Sequence, residues 1–76
     1  MTKEQFKCVR AVHAEVDSLL LDGWKIRSKY CSGEQGLCYY LVHDFRGMLT
    51  VSTNAIRTQL QIRKNGQLVK CQSFGV

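Results

Sequence analysis

Lys25, Arg27 and Lys29 alternate with Trp24, Ile26, Ser28 and Tyr30 in the stretch WKIRSKY. Successive side chains of an extended chain point to opposite faces, so this spacing predicts three cations on one side of a strand. The chemistry open to such a row is electrostatic: it attracts phosphate, and each phosphate contact releases counterions. The spacing returns in IRTQLQI (56–62). If Ile56, Thr58, Leu60 and Ile62 face one way, Arg57, Gln59, Gln61 and Arg63 face the other. Lys70 is expected on that second side, opposite Gln61. Glutamine side chains can hydrogen-bond base edges, and an exposed Tyr39 or His43 can stack on an unpaired base. The expected nucleic-acid-binding set is therefore Lys25, Arg27, Lys29, Arg57, Arg63 and Lys70 on phosphate, with Tyr39 stacking. The competing reading is a solvated sheet face whose edge cations block edge-to-edge association.

The sequence offers little for covalent or metal chemistry. His43-Asp44 is the one histidine next to a carboxylate, but neighbours on a strand diverge and do not form a dyad. His43 alone is a candidate base for RNA cleavage, with arginines clamping phosphate. A surface histidine near a turn is the plainer reading. His13 sits beside the apolar stripe of a helix and reads as a boundary residue. Ser28, Ser32 and Ser52 lack an accompanying base, and no G-x-G-x-x-G, P-loop, G-x-S-x-G or H-E-x-x-H is present. The four cysteines are Cys8, Cys31, Cys38 and Cys71, and even the closest pair has six residues between. That is too wide for the C-x(2–4)-C knuckle that starts most zinc sites. No export signal is apparent, which disfavours disulfides and predicts a cytoplasmic protein. The cysteines read as small apolar residues, buried or half-buried. No catalytic residue, metal or cofactor is expected.

Positioning the cations is the task of a single domain. A chain of 76 residues buries only roughly 60–65% of its unfolded surface. It has no proline, no repeat and no linker-like run, and no apolar run approaches the ~20 residues that span a bilayer. Thr2 and Gln5 have capping-box spacing, and Met1 and Phe6 stand where a hydrophobic staple would form. Apolar residues at 6, 9, 12, 16, 19 and 20 make a helical stripe, and Gly23 is placed as a left-handed stop. These signals predict a helix from about Thr2 to Asp22.

Past Gly23 the period changes from 3.6 to 2. Strands are predicted at 24–30, 37–45, 48–53 and 56–62, with a fifth after Asn65-Gly66, the strongest hairpin signal in the chain. A two-residue turn there pairs Ile62 with Val69 and Leu60 with Cys71. A rival reading makes 55–64 a second helix, on a poorer stripe. A two-residue Arg46-Gly47 turn pairs Val42 with Val51, turning Tyr40 inward and Tyr39 and His43 outward. A three-residue loop with a bulge reverses this; joining the valines favours the first. The expected class is α+β, with an N-terminal helix packed across an antiparallel four- to five-stranded sheet in the order α-β-β-β-β-β.

The net charge of +5 is unevenly spread. Residues 1–22 carry three cations against four carboxylates, net −1. Residues 23–76 carry eight cations against Glu34 and Asp44, net +6. A near-neutral helix and a basic sheet point to nucleic acid, RNA or DNA, or to an acidic protein partner, and the lack of a long apolar run leads us to expect no membrane partner. The second strand is apolar on both parities, with Tyr39, Leu41 and Phe45 on one and Cys38, Tyr40 and Val42 on the other. A strand buried on both faces needs two covers, and the monomer has one helix. An interface at Tyr39, Leu41 and Phe45, filled by a protein partner or a second copy, therefore stands as the alternative.

The stretch SLLLDGWKI (18–26), followed by strands and LTVS (49–52), resembles the start of HicA-type toxins over roughly a third of the chain. That resemblance implies a small RNA-cleaving protein with an α-β-β-β-α, dsRBD-like fold. CSGEQG (31–36) stands where those toxins carry Gly-Ser-His, and it has no histidine to take a catalytic role. Three readings follow. The first is non-catalytic nucleic-acid binding through a basic sheet face. The alternative is a protein-interaction module or inhibitor of the kind phages and plasmids encode. The third is a small RNase toxin-like protein.

Overall fold

The structure, a computed structural model, describes residues 3–32, 36–54 and 58–74. Helix α1 spans Lys3–Leu21. Its expected start signal, Met1 and Thr2, lies outside the described residues. Its end is a Schellman turn: the Gly23 N–H donates to the Leu20 carbonyl at 3.3 Å and the Trp24 N–H to the Leu19 carbonyl at 3.0 Å. Gly23 takes φ +96°, a conformation open to glycine at little cost.

Five strands follow: β1 (Lys25–Ser32), β2 (Gly36–His43), β3 (Gly47–Asn54), β4 (Gln59–Lys64) and β5 (Gln67–Ser73). They form one open antiparallel sheet in chain order. The α+β expectation holds with all five strands. The helix alternative for 55–64 gives way to β4 over its described part. The toxin-like topology gives way too, because β4 and β5 follow the third strand where that fold has a helix. Asn65 and Gly66 take φ +50° and +88°, both left-handed, as a two-residue hairpin closed by Lys64 and Gln67 requires.

α1 lies on one face of the sheet. Val12 and Val16 meet Leu37, Tyr39, Leu41, Leu49, Val51, Leu60 and Ile62, and Trp24 closes the end of this core. The buried stripe is shifted from expectation. Cys8 is buried beside Val12 and Val16, whereas Phe6 and Leu20 stay exposed, Phe6 beneath the Arg10 guanidinium. Among the described residues no helix is long and apolar enough to cross a membrane.

The sheet departs from simple alternation at three places, and each moves side chains between faces. In β1, Ile26 pairs with Leu41 but Ser28 pairs with Tyr40, so Arg27 is the extra residue of a β-bulge. In β5, Ile62 pairs with Lys70 but Arg63 pairs with Leu68, leaving Val69 extra. Between β2 and β3, His43 pairs with Gly47 across a three-residue loop, so Val42 faces Met48 and Tyr39 faces Val51. The expected pairs Val42–Val51, Ile62–Val69 and Leu60–Cys71 are all replaced. Both bulges fall on the two edge strands, where extra twist and nearby Lys and Arg hinder edge-to-edge growth.

Candidate nucleic-acid interface

Register sorts the side chains into a layer under α1 and an open layer. Leu37, Tyr39 and Leu41 of β2, Leu49, Val51 and Thr53 of β3, and Leu60 and Ile62 of β4 are buried under the helix. Their neighbours in sequence face outward, which puts Cys38, Tyr40, Val42, Met48, Thr50, Ser52, Gln59, Gln61 and Arg63 on the open face. β1 adds Lys25, opposite Val42, and Tyr30, opposite Cys38. The bulge sets Arg27 and Ser28 together against Tyr40, and with Met48 these line a shallow depression of about 330 Å³. Among the described residues no helix or second sheet covers the open face. Tyr30 is 59% exposed and Tyr40 37%. The Tyr40 hydroxyl donates to the Cys38 sulfur, which raises the phenol above its ordinary pKa; Tyr30 adds in the same direction.

Two expected phosphate ligands lie on the other side. Lys29 pairs with Tyr39, beyond the bulge that reverses the parity of β1, and its Nζ lies 5.6 Å from the centre of that ring. Lys70 pairs with Ile62 and its Nζ reaches Glu15 of α1 at 2.6 Å. Tyr39 is no stacking residue on this geometry. It is 7% exposed under α1, with its hydroxyl 3.5 Å from His13 Nδ1. Arg57 lies outside the described residues. Lys25, Arg27 and Arg63 remain on the open face, and none forms an ion pair among the described residues. The five strands contain no Asp or Glu, so among the described residues no strand carboxylate offsets them there.

The expected protein interface is also redrawn. Leu41 is fully buried and Tyr39 nearly so, and only Phe45 remains available, at 93% exposure in the β2–β3 loop. His43 is turned into a structural role. Its Nδ1 accepts the Phe45 N–H at 3.1 Å, and its ring packs 5.2 Å from Trp24. All four cysteines are free thiols. Cys8 is buried and Cys38 partly so, whereas Cys31 and Cys71 are exposed, contrary to the expectation of burial. Burial raises the pKa of both Cys8 and Cys38. Among the described residues no group of His, Cys, Asp and Glu could hold a metal ion.

Sequence reasoning favours Tyr39 as the outward aromatic and offers Tyr40 only under the three-residue loop that the structure has; it misses Tyr30, which the bulge at Arg27 turns outward. No family model, no curated protein and no solved structure matches this chain.

Proposed function

We propose that this protein binds nucleic acid, without catalysis, through the open face of its sheet. The observation that carries the reading is the pairing of a face uncovered by the described residues with cations that form no ion pair among them: Lys25, Arg27 and Arg63 stand there, and the strands hold no carboxylate. Such a surface gains affinity for phosphate mainly from counterion release. Thr50, Ser52 and Gln61 lie between the cations and supply hydroxyl and amide groups for base edges or sugar.

Salt titration tests this. Three phosphate contacts predict a log–log slope of about −2 on a single strand and about −3 on duplex DNA. Arg63→Ala is expected to flatten the slope by nearly one contact, whereas Lys29→Ala and Lys70→Ala, on the helix side, leave it unchanged. Absence of binding at low salt, or equal loss from Lys70→Ala and Arg63→Ala, would contradict the assignment.

A protein contact is the second reading, and one observation favours it. Leu21 and Phe45 are 92% and 93% exposed, next in sequence to Asp22 and Arg46, which bridge at 2.6 Å. A dimer in sedimentation experiments that Phe45→Arg dissolves would move the principal surface to that end of the sheet.

A further inference from the structure

We infer that the ligand of the open face is an unpaired strand, with one base seated on Tyr40 in the depression formed by the β1 bulge. This rests on the nucleic-acid reading above and narrows it. A sheet face carrying three cations can lie against any polyanion, but the aromatic placement is specific to a ligand with accessible π-faces. Tyr40 and Tyr30 sit on adjacent strands in diagonal rows, Tyr40 opposite Ser28 and Tyr30 opposite Cys38. Diagonal neighbours lie roughly 7–8 Å apart, within reach of large side chains. Two rings at that spacing can each take a base from a strand whose bases are splayed, and a duplex keeps those faces stacked on one another.

The depression beside Tyr40 has the composition a base site needs. Tyr40, Met48, Arg27 and Ser28 line it. The ring and the thioether supply apolar contact. The Ser28 hydroxyl can hydrogen-bond a base edge, and the Arg27 guanidinium can take the adjoining phosphate. The bulge is what creates this grouping: without the extra residue, Arg27 and Ser28 would fall on opposite faces. On the far side of Tyr40, Thr50 and then Arg63 continue the same cross-strand row. The row therefore runs cation, aromatic ring, hydroxyl, cation, which suits a backbone crossing the strands with one base dropped between two phosphate contacts.

The test compares three probes at one low salt concentration: a short oligothymidylate, a duplex of equal length, and inorganic polyphosphate, which has charge but no bases. The oligothymidylate is expected to bind about tenfold or more tightly than the duplex. Tyr40→Ala should weaken the oligothymidylate by about tenfold, since stacking of one base is lost, and leave polyphosphate unchanged. Tyr40→Phe keeps the ring and should retain oligothymidylate affinity, which separates stacking from the hydroxyl and its bond to Cys38. Arg63→Ala should weaken all three probes. Equal binding of oligothymidylate and duplex, both unaffected by Tyr40→Ala, overturns this inference and leaves the broader nucleic-acid reading standing. Failure of every probe to bind overturns both. Tyr40 lies on the open face, and coincident circular dichroism spectra of the variants confirm that folding is not the variable.

Discussion

Gly36→Ala is expected to destabilise the fold by about 3 kcal/mol, a large share of the roughly 4–11 kcal/mol usual for a domain this size. Two effects combine. Gly36 has φ +88°, and a side chain in that region costs about 1–2 kcal/mol. The new Cβ would also stand 2.1 Å from Thr53 Oγ1, with the Thr53 carbonyl oxygen at 3.2 Å. Thr53 is buried and its Oγ1 accepts the Leu37 N–H at 2.8 Å, so moving it strands a buried donor, at about 1–3 kcal/mol. Gly66→Ala is the matched control. It has the same φ of +88° but nothing within 4 Å of the added carbon, so only the backbone cost of about 1–2 kcal/mol applies. Urea unfolding of both variants isolates the Thr53 contact. In a Thr53→Ala background Gly36→Ala should cost less, because the clashing oxygen is gone. Equal midpoints for Gly36→Ala and Gly66→Ala would show that the β2–β3 packing is not as described.

Leu41→Ala and Phe45→Ala form the second contrast. By sequence both residues fall on one odd-numbered row of the expected second strand (37–45) and are equal candidates for a protein interface; in the structure that strand ends at His43 and Phe45 lies in the loop. Leu41 is fully buried between α1 and the sheet, and truncating it is expected to cost about 2–5 kcal/mol through lost burial and the cavity left behind. Phe45 is 93% exposed in the loop, and its truncation should fall within about 0.5 kcal/mol of zero. Thermal or urea unfolding distinguishes them directly. A large loss for Phe45→Ala would mean that the loop ring is covered in solution, by a second copy or otherwise.

The helix, the five strands and their order were legible because each has a periodic signal: an apolar stripe ended by Gly23, then alternation broken by Asn65-Gly66. The faces of the strands were legible only where one parity is clearly apolar. In β4, Leu60 and Ile62 fixed the inward side, and Gln61 and Arg63 face outward as the alternation requires. In β2 both parities are apolar, so only loop length distinguishes Tyr39 from Tyr40, and the three-residue loop after His43, in place of the favoured two-residue turn, sends Tyr40 outward. The bulges at Arg27 and Val69 carry no glycine or proline to announce them. Each adds one residue, and because the side-chain period is two, that alone carried Lys29, Tyr30 and Lys70 to the face opposite the expected one. Sequence identified the sheet as basic, but which cations share a face depends on these single-residue shifts.

The same shifts leave the electrostatics more selective than composition suggests. Lys29 and Lys70 have partners on the helix side in the Tyr39 ring and Glu15, and Arg46 has one in Asp22. These are solvent-exposed contacts worth up to about 1 kcal/mol each. The remaining open-face cations surround an aromatic pair in place of forming one uninterrupted row.

Chemical-shift mapping with an oligothymidylate at low salt tests the central claim most directly, since it reports which face meets the ligand. The prediction is that side-chain signals of Arg27, Tyr40, Met48, Thr50, Gln61 and Arg63 move on titration, while those of Val12, Val16, Lys29 and Lys70 stay in place. Shifts concentrated on α1 or around Lys29 and Lys70, with the Tyr40 and Arg63 signals still, would contradict it.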